Sequence, residues 1–182
     1  WIHTDYSRID VNAALELSVW NGYDYIASIS PDVSRTFLSV FPSLQGKLVE
    51  IANILSPAFV RSRAEEQVDL SVFGDEAVKL LSIGRFTYPK NFDNVPDILR
   101  RIREYGINAR WYLIGYGGEE SLIRQRIREA GMENYVVIIG KKTNPYPYIQ
   151  ACDLYVQPSR YEGNSVTVRE AQMLCKPVVV AD

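Results

Sequence analysis

The sequence predicts an α/β protein: a doubly wound parallel sheet with helices on both faces, preceded by part of a second α/β domain. Three observations predict it. From Val78 onward, apolar runs alternate with stretches whose apolar residues recur at helical spacing. The apolar runs are continuous rather than in-out alternating, as in strands covered on both faces. Several of them end in glycine, which closes a strand and opens the turn into a helix.

The elements follow in order. WIHTDY, YDYIASIS and KLVEIANI predict three short strands, separated by helices around VNAALELSVW and VSRTFLSVF. SPAFVRSRAEEQVD is polar and irregular, and is expected to be a hinge or linker. A domain boundary is therefore expected near Ile54 to Phe59, dividing the chain into residues 1–56 and 57–182. Beyond it, VKLLSIGRF, WYLIGYGG, VVIIG, DLYVQPS and PVVVA predict strands. FDNVPDILRRIREYG, ESLIRQRIREAG, the segment around PYPYIQAC and TVREAQMLC predict the helices between them. Trp1 is not an initiator methionine, and PVVVAD reads as a strand with nothing after it, so the expectation is a segment of a longer protein.

Composition sets broad limits. Of the 182 residues, 47% are hydrophobic and 23% charged, enough apolar surface for a packed core. A net charge of −2 gives no footprint for a nucleic-acid partner. The basic clusters RRIRE and RQRIRE alternate with apolar positions and are expected to be solvated helix faces. Cys152 and Cys175 are too few for a metal site or disulfide framework, and both are expected to be reduced packing residues of a cytoplasmic protein. No apolar run approaches the roughly 18–20 residues that cross a bilayer, and no signal-peptide pattern is present.

In an open parallel sheet, ligands bind beyond the carboxyl ends of the strands. Arg85 follows the first strand of the second half, with Lys90 five positions on. Gly115, Gly117 and Gly118 follow the second, Lys141 and Lys142 the third, and Glu162 to Ser165 the fourth. Gly163, Asn164 and Ser165 permit an unusual backbone path into a helix whose free N–H groups can bind an anion. With Arg85 and Lys90 nearby, a diphosphate is the natural occupant. If the helix starts near Ser165, Glu170 lies about five residues along it, roughly 7 Å at 1.5 Å per residue. That is about one ribose away, with Glu162 on the other side of the phosphates. The arrangement describes a nucleotide-sugar site. The three glycines lack a dinucleotide fingerprint and read as a tight strand-to-helix turn near the base pocket, while Lys141 and Lys142 read as solvent-exposed.

EGNSVTVRE resembles the Glu-x7-Glu motif of retaining glycosyltransferases with the two-domain GT-B fold, family 4 (glycosyl transferases group 1). SIGRFTYPKNFD resembles that family's strand followed by an Arg and a Lys that hold the donor diphosphate. YDYIASISPDV and VEIANILSPAF are similar to the end of its first domain and its interdomain connector. The resemblance implies a Rossmann-like donor domain at 57–182, truncated at its end, after the tail of an acceptor-side domain at 1–56. It implies transfer of a hexose from a nucleoside-diphosphate sugar to a glycan or lipid-linked acceptor, in cell-surface polysaccharide synthesis. Glu170 would bind the ribose hydroxyls and Glu162 the hexose. Amides around Gly163, Asn164, Ser165 and Val166 would meet sugar and phosphate, and Arg85 and Lys90 would neutralise the diphosphate. His3 resembles the first-domain histidine that approaches the donor in some relatives.

No metal or other cofactor is implied, and the chain has no Asp-x-Asp pair. The resemblance further implies peripheral association of the parent protein with the inner membrane face, and an inactive isolated fragment. The family's glycine-rich acceptor loop and its returning C-terminal helix have no counterpart here, and Asn164 stands where many members carry a larger residue. Two other functions fit the same architecture: a nucleotide-sugar epimerase, separable by its products, and a non-catalytic nucleotide-binding module.

Overall fold

A computed structural model describes residues 1–74, 76–162 and 165–181. The chain divides into two compact units, one of residues 1–54 with 161–166, the other of 55–160 with 167–182.

In the first unit, α1 (Ala13–Asn21) is capped by Asn12, whose Oδ1 accepts from the Leu15 N–H at 3.2 Å. The strand β1 (Ile26–Ser28) leads into α2 (Pro31–Val40), where Ser30 caps and Pro31 presets the first turn. Parallel to β1 runs β2 (Leu48–Glu50). The strand expected over WIHTDY reduces to a single bridge between Ile2 and Ser28. Asp5 is the reason: its Oδ1 accepts from the Ser7 N–H at 2.9 Å and winds Tyr6–Arg8 into a 3-10 turn. Tyr6 then packs edge-on against Phe37 and Phe41 in the unit's core.

The second unit opens with α3 (Pro57–Ala64), which corrects the linker expected over SPAFVRSRAEEQVD. Ser56 caps it by accepting from the Phe59 N–H at 3.3 Å, Pro57 takes the first turn, and Val60 and Ala64, one turn apart, are buried. The rest follows the predicted alternation: β3 (Val78–Arg85), α4 (Val95–Glu104), β4 (Ala109–Tyr116), α5 (Glu120–Glu129), β5 (Val136–Gly140), α6 (Tyr146–Ala151), β6 (Leu154–Gln157), α7 (Val166–Met173) and β7 (Val178–Val180).

The five strands β3 to β7 form one parallel sheet in the order β5-β4-β3-β6-β7. Successive residues of one strand enter opposite cores. Tyr112 and Ile114 join Leu81, Ile83 and Tyr155 on one face, while Trp111 and Leu113 join Leu80 and Val156 on the other. That double burial is why the strands read as continuous apolar runs. The polar atoms inside are paired: the Trp111 indole donates to Ser82 Oγ at 2.9 Å, and Ser82 donates to the Val156 carbonyl at 2.5 Å.

The cysteines part company. Cys152 is buried as expected, but Cys175 is exposed, in a left-handed conformation (φ 55°) just past α7. There it ends the helix, its N–H donating to the Gln172 carbonyl while Lys176 N–H reaches Ala171, a position glycine usually takes. Among the described residues no helix is long and apolar enough to cross a membrane.

Candidate functional site

The order β5-β4-β3-β6-β7 places a topological switch between β3 and β6: the chain leaves β3 towards β4 and returns to the other side at β6. Loops at the carboxyl ends of two such strands diverge, and the crevice between them is where open α/β sheets hold ligands.

Arg85 ends β3 and is exposed. Phe86 is anchored by its N–H to the Tyr116 carbonyl at 2.8 Å, and a 3-10 turn (Tyr88–Lys90) follows. Lys90 is half-buried, and its stem folds back over Gly84: a Cβ built there would lie 3.2 Å from Lys90 Cε and 3.3 Å from Cδ. Next comes Asn91 in the left-handed region (φ 61°), a conformation asparagine tolerates better than most residues.

The glycines after β4 serve close approach. A Cβ on Gly115 would overlap the Gly84 carbonyl, and one on Gly117 the Phe86 carbonyl. They let the ends of β3 and β4 lie side by side. As expected, Lys141 and Lys142 are exposed, their ammonium groups over the rings of Tyr116 and Tyr148 at 4.9 and 5.5 Å.

Beyond β6, Gln157 and Ser159 are buried and linked, Gln157 Nε2 donating to Ser159 Oγ at 2.7 Å. Gln157 Oε1 accepts from Tyr155 at 2.9 Å and from Thr167 in α7 at 3.3 Å, so the strand end and the helix are tied by side chains. Arg160 reaches back to the β3 loop. Its guanidinium grips Asp93 with two bonds of 2.9 and 2.7 Å, donates to the Tyr88 carbonyl at 2.6 Å, and lies over the Tyr88 ring at 4.1 Å. Sequence reasoning missed this clamp, since its members stand 67 to 72 positions apart.

Glu162 is exposed, and Ser165 and Val166 are half-buried where α7 begins, one residue after the expected start at Ser165. Gly163 and Asn164 lie outside the described residues. Glu170 is buried at 8% exposure and accepts from the Tyr146 hydroxyl at 2.8 Å. Burial pushes its carboxyl up from the usual value, and the Tyr146 hydrogen bond pulls it part of the way back. Tyr146 is itself pushed up to about 12, by burial first and by Glu170 second. The second unit thus carries Arg85, Lys90 and Glu170 on elements leaving the carboxyl edge of its sheet. His3 is an exposed residue of the first unit, beside Trp1. Among the described residues no group of acids, cysteines and histidine has the spacing of a metal site.

Residues 64–182 match the family model described as glycosyl transferases group 1. The chain belongs to this family. Its relatives include an uncharacterized glycosyltransferase of Methanocaldococcus jannaschii, 26% identical over 162 residues, covering 87% of this chain and 40% of that protein. The amylovoran biosynthesis glycosyltransferase AmsD of Erwinia amylovora is 27% identical over 111 residues, 61% of this chain and 31% of its own length. The chain thus spans well under half of either curated relative. Among solved structures, Anabaena HepE in complex with UDP-glucose matches with a TM-score of 0.79 at 20% identity, covering all of this chain and 52% of that one. Staphylococcus aureus TarM, crystallised with UDP among its ligands, matches at 0.75 and 17% identity, over all of this chain and 36% of its own. At these identities the likeness speaks for the fold, the GT-B type of glycosyltransferase.

Proposed function

We propose that the protein is a retaining glycosyltransferase that transfers a hexose from a nucleoside-diphosphate sugar to a glycan or lipid-linked acceptor in cell-surface polysaccharide synthesis. The observation that carries this reading is the edge of the second unit's sheet. Two cationic side chains leave β3 at the topological switch, and a buried acid stands one turn inside the helix that follows β6. A diphosphate needs the first and a ribose diol the second. In this reading Arg85, Lys90 and the amides at the start of α7 hold the diphosphate and stabilise the charge that gathers on it as the glycosidic bond breaks. Glu170 accepts hydrogen bonds from the ribose, and Glu162 orients the hexose. Residues 57–182 form the donor domain and 1–56, with His3, the tail of the acceptor-side domain. The parent protein works at the inner face of the membrane, without a metal, and the 182-residue chain alone transfers no sugar.

A thermal-shift screen of uridine, guanosine and adenosine diphosphates tests the donor reading: one of them should raise the Tm well above the others. No shift with any base would count against it. Product analysis with the matching sugar nucleotide, on the full-length parent protein, then checks the reaction: a glycosylated acceptor is expected, and a changed sugar nucleotide without acceptor would overturn transfer.

A further inference from the structure

Lys90 sits between two residues that are each tied to the segment after β6. On one side the Pro89 carbonyl accepts from the Arg160 N–H at 2.8 Å. On the other, Asn91 Nδ2 donates to the Pro158 carbonyl at 2.8 Å, which holds Asn91 in its left-handed conformation. The Arg160 side chain encloses the same loop, bonding Tyr88 before Lys90 and Asp93 after it. Both ionic partners are largely shielded, with side-chain exposures of 21% and 16%. The Arg160 charge is therefore met by Asp93, and three of its donor contacts are committed within the protein. It is poorly suited to bind a phosphate itself and well suited to hold the loop that does. A lysine could keep the charge, but not the planar fork that grips Asp93 and the Tyr88 carbonyl together.

We propose that Arg160 is a positioning residue for Lys90: its clamp on Tyr88, Pro89 and Asp93 fixes where the Lys90 ammonium meets the donor diphosphate. The inference rests on the donor-site reading above. It predicts a signature that general scaffolding would not give. Loosening the clamp should weaken the diphosphate and spare the nucleoside, and only while Lys90 is present.

The test is calorimetry on the intact protein with uridine, guanosine and adenosine and their 5′-diphosphates. Wild type should prefer one diphosphate over its nucleoside. Arg160→Lys should lower affinity for that diphosphate roughly tenfold, a middling value for residues coupled through one hydrogen-bonded network, and change nucleoside affinity less than twofold. In a Lys90→Ala background the same substitution should cost less than about twofold. Asp93→Asn, which leaves Arg160 in place and weakens its grip, should show the same pattern at about threefold, and decides the matter if Arg160→Lys does not fold. Undiminished diphosphate affinity in these variants, equal loss for nucleoside and diphosphate, or a full tenfold loss without Lys90 would each overturn the proposal alone. Failure of every diphosphate to bind wild type would overturn the donor-site reading, and this inference with it.

Discussion

The loop that carries Lys90 and the helix that carries Glu170 hold a charged side chain by different means. Around Lys90 the work is done by polar bonds: Asn91 to Pro158, and Arg160 to Tyr88, Pro89 and Asp93. Around Glu170 it is done by apolar packing, with Ala171 and Leu174 in the core, beside a side-chain bond from Tyr146. A polar mesh places its cation by geometry. A buried acid is placed firmly as well, but its ionised form is disfavoured. The first device should respond to loss of a bond, the second to pH.

The largest effect should come from the cations. Arg85→Ala and Lys90→Ala should each weaken nucleoside diphosphate binding roughly ten- to a hundred-fold, since hydrogen bonds to charged groups are worth about 1.5–3 kcal/mol. The bare nucleoside should bind almost as before. Calorimetry with both ligands checks this, and equal losses would mean that these residues do not face the phosphates.

The two acids should then separate in the full-length protein. If the proposed roles hold, Glu170→Gln should mainly raise the donor KM, while Glu162→Gln should lower kcat by about tenfold or more with little change in product affinity. If both loosen the nucleoside diphosphate alike, the phosphates do not lie between the two acids.

A smaller, pH-dependent effect tests the buried side of the comparison. Burial raises the Glu170 pKa above its ordinary 4.5, so the folded chain holds that proton more tightly than the unfolded one. Stability therefore falls as pH rises from the unfolded value through the raised folded one. Glu170→Gln should raise the Tm more at pH 7 than at pH 4. Tyr146→Phe removes the bond that favours the carboxylate, so the pH below which nucleoside affinity fades should move upward. Melting curves and binding at several pH values decide both, and a pH-independent Tm difference would show that burial does not perturb this acid.

The smallest effect belongs to Gly84. An alanine there must push the Lys90 stem by a few tenths of an ångström, which a flexible side chain can give. Diphosphate affinity should drop by about twofold to threefold with the Tm nearly unchanged. A large Tm loss would mean that the stem is locked rather than resting.

The sheet was legible because its strands are buried on both faces, which leaves continuous apolar runs that need no partner to be recognised. The placement of Arg85, Lys90 and Glu162 just past strand ends was legible for another reason: each lies within a few residues of one. What escaped was of two kinds. Helix α3 buries only Val60 and Ala64 at one-turn spacing, so its pattern was drowned by polar neighbours although Ser56-Pro57 announced its start. WIHTDY offered a strand-like composition that a local bond from Asp5 overrode. The Arg160 clamp and the Tyr146 bond to Glu170 join residues far apart in sequence, 24 to 72 positions, and no local signal carries such a pairing.

The unlike surroundings of the two cysteines give the molecule a built-in clock. Cys152 is buried just past the end of α6 and its thiol is pushed up to about 11, chiefly by burial, whereas Cys175 stands open beyond α7. Since only the thiolate reacts with alkylating reagents, Cys175 should label within the first moments and Cys152 only when the second unit opens. Once Cys175 is blocked, the slow label at Cys152 times those openings. A nucleotide that binds the closed form alone would slow that clock in proportion to its occupancy, giving a measure of binding that needs neither an acceptor nor a turnover.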